Sequence, residues 1–123
     1  MTRAVKVPDA THPITIRPTG SRVTVSVGGV QVAESDSALS LAEASYPVVQ
    51  YIPIADVDQS LLVRTDSQTY CPYKGDASYY SVQTPDGQTE TDLIWTYEQP
   101  YDAVAEIAGH VAFYANRAQI SIS

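Results

Sequence analysis

Hydrophobic and polar positions alternate along much of this chain with the two-residue period of a half-buried strand. Arg22–Val27 sets Val23, Val25 and Val27 against Arg22, Thr24 and Ser26, and the alternation resumes after Gly28-Gly29 at Val30 and Val32. A two-residue Gly-Gly connection is a favoured hairpin turn, because both residues tolerate φ > 0. In that register Val27 faces Val30 and Val25 faces Val32. No Gly-x-Gly-x-x-Gly or Walker spacing surrounds the pair and no helix follows, so it reads as a turn and not a phosphate loop. Ile14–Arg17, Ala38–Leu41, Val48–Ile54, Ala77–Val82, Thr91–Tyr97, Val111–Tyr114 and Gln119–Ile122 also read as strands. Pro18 confines the first of these to a sheet edge. Thr84-Pro85-Asp86-Gly87 is a type I turn signal. Beside it, Ala77, Tyr79 and Ser81 oppose Ser78, Tyr80 and Val82, while Leu93, Trp95 and Tyr97 share a face opposite Ile94 and Thr96. Trp95 is expected to be largely buried. One short helix is predicted at Pro100–Ala108, with Pro100 at its entrance, Ala103, Val104 and Ile107 as its apolar stripe, and Gly109 as its stop. The fold class is mainly β, with a single β-rich domain at 21–123 behind an extended N-terminal arm at 1–20.

Thr69–Tyr80 breaks the monotony. It holds the only Cys, four of the nine Tyr, and Lys74, the one Lys or Arg between Arg64 and Arg117. Pro72 fixes φ and Gly75 can take φ > 0, which predicts a tight bend that gathers Cys71, Tyr73 and Lys74. Asp56 and Asp58 flank Val57 and raise the question of a divalent cation. Phosphate chemistry of that type needs a Gly-Ser turn at a nearby helix start, and Gly20-Ser21 lies far upstream and opens a strand, so a capped turn or single helical turn at Ala55–Gln59 is expected. His12 is expected to be exposed in the arm. His110 either meets the carbonyls that end the helix or serves in proton transfer.

Composition changes the picture in three ways. The net charge of −7 and scattered basic residues argue against nucleic acid as a partner. No apolar run reaches the roughly 20 residues of a membrane span, and Met1–Pro13 has no signal-peptide core. A single Cys excludes an internal disulfide and fits a reducing, cytoplasmic setting. Nothing in the sequence sets an oligomeric state.

Tyr51-Ile-Pro, the block Thr69-Tyr-Cys-Pro-Tyr-Lys-Gly-Asp-Ala-Ser-Tyr-Tyr, Trp95-Thr-Tyr-Glu-x-Pro and Gly109-His-Val-Ala-Phe-Tyr occur in that order. Together they resemble the bacterial and fungal domain-of-unknown-function 427 family, over roughly Arg22 to Ile122. The resemblance implies small bent antiparallel sheets of β-tent type with one short helix. It also brings the label "nucleotidyltransferase-like", which the surroundings of Asp56 do not support. Many β-tent relatives hold zinc with two Cys-x-x-Cys knuckles; with Cys71 alone, neither that metal nor any other cofactor is expected. Tyr51, Cys71, Tyr73, Lys74, Trp95, Tyr97 and His110 are expected to converge on one concavity open to a small-molecule ligand. Three readings stand open. In a metal-free enzyme acting on an anionic or carbonyl compound, Lys74 favours a Cys71 thiolate or forms a Schiff base, and Tyr73, Glu98 or His110 moves protons. In a binding module, Tyr51, Tyr73, Trp95 and Tyr97 supply walls and Lys74 grips a carboxylate or phosphate. In the third, Cys71 is a buried small residue, Lys74 a surface ammonium, and the block only makes the turn.

Overall fold

The computed structural model describes residues 3–123. Ten strands follow one another: β1 (Ile14–Pro18), β2 (Val23–Val27), β3 (Val30–Ser35), β4 (Leu39–Glu43), β5 (Val49–Pro53), β6 (Leu62–Cys71), β7 (Gly75–Gln83), β8 (Thr89–Thr96), β9 (His110–Phe113) and β10 (Gln119–Ile122). They form two antiparallel sheets, one of seven strands in the order β1-β4-β5-β9-β8-β7-β6 and one of three in the order β10-β2-β3. Neither closes into a barrel.

The two-residue period decides the layering. Along the large sheet, successive side chains go to opposite faces. Ile52, Val82, Ile94, Val111 and Phe113 point to one face and pack against Val23, Val25, Val27 and Val32 of the small sheet. Burial of each such aliphatic side chain contributes about 1.5–3 kcal/mol. Tyr51, Ala77, Tyr79, Tyr97 and Ala112 point to the other face, where Leu41, Val104 and Ile107 join them. One face of the large sheet is therefore mainly aliphatic, with Phe113 among its side chains, and the other carries Tyr51, Tyr79 and Tyr97.

Three expectations need correction. In the Gly-Gly hairpin Val27 does face Val30, but Val25 faces Ala33, because Val32 is an extra residue on β3 opposite the Val25–Ser26 step. The bulge turns both Val32 and Ala33 into the core. Leu93 also leaves the face of Trp95 and Tyr97 and joins Ile94 on the aliphatic side. Between Tyr80↔Ile94 and Val82↔Glu90, β8 carries surplus residues centred on Asp92, whose φ is +51°. Finally, the helix near Pro100 is a 3₁₀ segment, Asp102–Ile107, kinked at Val104. Its buried residues are Val104 and Ile107, three apart, and a three-residue turn stacks that spacing on one side, leaving Ala103 outside. Two further 3₁₀ turns, Ile54–Asp56 and Gln59–Leu61, occupy the stretch read as a capped turn or single helical turn, and the Asp58 carboxylate accepts from the Ser60 N–H.

Asp92 fixes a second irregularity across the sheet. β6 bulges between Arg64 and Gln68. Thr65 Oγ1 and Ser67 Oγ from that bulge both donate to the Asp92 carboxylate at 2.6 Å, and the Asp92 N–H donates to Ser81 Oγ on the strand between them. These hydroxyl bonds outweigh desolvation and hold the Asp92 carboxyl below its ordinary value.

The arm ahead of β1 is extended but not free. Lys6 N–H donates to Pro72 O, and Arg3 forms a two-pronged ion pair with Asp76 while its guanidinium lies 3.6 Å over the Tyr70 ring. Asp9 accepts from the Thr11 and His12 N–H groups and from Thr11 Oγ1, an Asx turn that swings His12 back toward the sheet. No helix among the described residues is long and apolar enough to cross a membrane.

Candidate functional site

The bend Pro72–Lys74 joins β6 to β7, with Cys71 paired to Gly75 and the Lys74 N–H donating to Cys71 O at 3.2 Å. Gly75 adopts φ +110°, closed to L-residues, and an added Cβ would meet Gln99 O at 3.4 Å. This backbone turns the Lys74 side chain inward beneath the arm. Lys74 is 6% exposed, so the reading of it as a surface ammonium is wrong. Its Nζ donates to Glu43 Oε1, lies 3.9 Å from Cys71 Sγ and sits 5.9 Å from the centre of the Tyr97 ring.

Glu43 ends β4, where pairing with β1 and β5 brings it over the tyrosine face. Its second oxygen is 2.7 Å from His12 Nε2. Burial alone would push the Glu43 carboxyl up. Hydrogen bonds from Lys74 and His12, together with their charges, win and hold it below its ordinary value. The His12 ring in turn stacks on Tyr73 with centroids 4.1 Å apart and planes within 6°. His12 is thus half-buried and engaged, not exposed in a loose arm.

Lys74 and Glu43 lie in the wall of an open cavity of about 270 Å³, lined also by Tyr46, Tyr51, Tyr79, Trp95, Tyr97 and Tyr114 with Leu41, Pro47 and Val49. Trp95 forms a half-buried wall, more open than expected from sequence. Its Nε1–H donates to the Tyr51 hydroxyl at 3.2 Å, edge-on to that ring, and its other side packs on Tyr114 at 4.6 Å. Thr69 Oγ1 and the Tyr79 hydroxyl share a bond of 2.8 Å. Burial pushes the Tyr51 phenol up to about 12, with the Trp95 bond opposing and the Glu43 and Cys71 charges adding. Tyr97 is raised further, again mainly by burial. Both are neutral phenols at any ordinary pH.

The family model described as Domain of unknown function (DUF427) matches residues 15–123. The chain belongs to the DUF427 family. No curated protein matches it.

Of the residues singled out in the sequence, this DUF427 domain brings Tyr51, Lys74, Trp95 and Tyr97 to the cavity wall, with Cys71 packed behind Lys74. Tyr73 is drawn away to the arm, where it stacks on His12. His110 does not line the cavity. Its Nδ1–H donates to Ala108 O at 2.9 Å and its own carbonyl accepts from Thr96 Oγ1, so it closes the turn after the 3₁₀ segment. The cavity wall therefore forms without Cys71, Tyr73 and His110. Glu98 is also elsewhere, paired with Arg64 on the surface. Asp56 accepts from Ser35 Oγ and Asp58 caps its 3₁₀ turn, so neither carboxylate of the Asp-x-Asp pair is directed at a shared ion. Among the described residues no three His, Cys, Asp or Glu side chains gather at metal-binding distance.

The residues that sequence reasoning missed are Glu43 and His12, and among the aromatic walls Tyr46, Tyr79 and Tyr114. Asp9-Ala-Thr-His carries an Asx-turn signal that could have placed His12. Glu43 has no local signal, since strand pairing alone delivers it.

Proposed function

We propose that this DUF427 domain binds a small organic compound with a carbonyl or anionic group, held between tyrosine and tryptophan walls with Lys74 at its polar end. One observation carries the reading: a buried ammonium, anchored on Glu43, stands in the wall of an aromatic cavity of about 270 Å³. Most ligand sites combine apolar walls with a few fixed polar groups in this manner. Only one of the ammonium's three donors is taken by Glu43, and the contact to Cys71 is weak, which leaves a donor for a ligand oxygen. The single free cysteine fits a reducing, cytoplasmic setting for this activity.

Trp95 is the only indole in the chain and lines the cavity, so its emission reports occupancy. Titration of the protein with a panel of small carboxylates, aldehydes and ketones should change that emission saturably for some members, and Lys74→Met should weaken those members at least tenfold. A silent panel, or unchanged affinity in Lys74→Met, overturns the proposal.

A second reading is favoured by the continuous contact Lys74–Glu43–His12. A carboxylate between two nitrogen donors can relay a proton to a bound carbonyl compound. Turnover of any bound panel member by wild-type protein and not by Glu43→Gln would establish it; binding without turnover would leave a binding module.

A further inference from the structure

We infer that the cavity favours its ligand by hydrogen-bond polarity: Lys74 can only donate, and Tyr51, whose oxygen already accepts from Trp95, has its proton left to give, so this wall prefers an acceptor oxygen of a carbonyl or carboxylate group to an amine. This deepens the proposed ligand site and rests on it.

The indole of Trp95 sets the polarity. An indole N–H donates and cannot accept, so in the 3.2 Å contact the Tyr51 oxygen must be the acceptor. A phenol whose oxygen already accepts keeps its own proton to give. The Trp95 bond is the one hydrogen bond of the Tyr51 hydroxyl among the described residues, so that proton is left for whatever occupies the cavity. Tyr97 stands in the same wall at 8% exposure, and its hydroxyl makes no hydrogen bond among the described residues, so it can give its proton to a ligand acceptor beside the Tyr51 donor. The Lys74 ammonium, beside the Tyr97 ring, is a third donor that cannot accept.

The one charged acceptor in the cavity wall is already engaged. Both oxygens of Glu43 are taken, one by Lys74 and the other by His12. An aromatic enclosure with a carboxylate could suit an organic cation. Here that carboxylate is neutralised by the buried lysine, and a second cation beside Lys74 meets like-charge repulsion. A buried donor left without an acceptor costs the full desolvation of that group, which makes the polarity selective as well as attractive.

Three probes of similar size separate the alternatives: benzoate, acetophenone and benzylamine. Acetophenone is neutral with only an acceptor, so it isolates hydrogen-bond polarity from charge. Affinities measured by ligand-observed NMR at neutral pH should rank benzoate and acetophenone above benzylamine by at least tenfold. Tyr51→Phe and Tyr97→Phe each lose about tenfold on the two acceptor probes. Trp95→Phe frees the Tyr51 oxygen to accept and narrows the gap to benzylamine. Circular dichroism and thermal unfolding of each variant exclude a folding defect, and Tyr97→Phe alone decides if Tyr51→Phe unfolds. Benzylamine binding as well as acetophenone, or a well-folded Tyr97→Phe that binds benzoate like wild type, overturns the inference and leaves the ligand site standing. Failure of all three probes to bind overturns both.

Discussion

At Glu43 one carboxylate meets a lysine and a histidine in partly dry surroundings, and its protonation carries a stability cost. Its folded-state value lies below the ordinary 4.5. A carboxyl depressed by folding stabilises fully above its unfolded value, and that contribution is lost as pH falls from there through the lower folded value. Urea midpoints should therefore decline on the acid side of 4.5, and Lys74→Met should flatten that decline. At neutral pH Lys74→Met costs about 2 kcal/mol, less than at a fully buried site because the cavity opens on water. Adding Glu43→Leu should recover part of the loss, and no recovery would show that the lysine acts through its stem alone. For Trp95 the half-buried setting lowers expectation. Trp95→Ala should cost about 2 kcal/mol by chemical unfolding, below the 3–5 kcal/mol usual for a core aromatic.

Among the elements, the paired bulges of β6 and β8 behave as one device. Asp92 takes the left-handed conformation at φ +51° and joins both strands through Thr65, Ser67 and Ser81. Asp92→Ala should speed amide hydrogen exchange on β6 and β8 together, whereas Asp92→Asn, which tolerates the same φ and keeps an acceptor, should be milder. Equal effects would mean that the carboxylate does not tie the strands. At the bend, Gly75→Ala should destabilise by about 1–3 kcal/mol, since φ +110° excludes an L side chain. This scale also shows what a one-dimensional pattern can carry. Alternation of Val, Ile and Tyr against polar residues reveals most strands and their two faces. It cannot reveal bulges, because Thr65–Ser67 and Thr91–Asp92 are polar insertions that look like ordinary outward positions. The Thr69–Tyr80 block marks Lys74 as the one Lys or Arg between Arg64 and Arg117. Its partner Glu43 is set by the β1–β4–β5 pairings, a long-range fact with no trace in either segment alone. His110 sits in an equally suggestive sequence context, yet its ring is spent on the carbonyl of Ala108.

Across the whole molecule, the family match begins at residue 15, while His12 and the arm contacts to Pro72 and Asp76 lie on or depend on residues before it. His12→Ala in the full chain should leave the fold intact and weaken ligand binding through Glu43 by a few-fold, an outcome read in the Trp95 titration. The small sheet has another consequence. β2 sits between β3, reached through two glycines, and β10, more than ninety residues later in sequence. The hairpin can zip within microseconds, but its aliphatic face stays half-clothed until β10 returns. Loop closure over that span must be met before the contacts reward it, so refolding is expected on the millisecond-to-second scale despite the short length. Stopped-flow fluorescence should show it. In the waiting interval the β2 edge is open to any passing strand, and at high concentration that strand can be the β10 of another molecule, which makes exchange of β10 between copies the misassembly to look for during refolding.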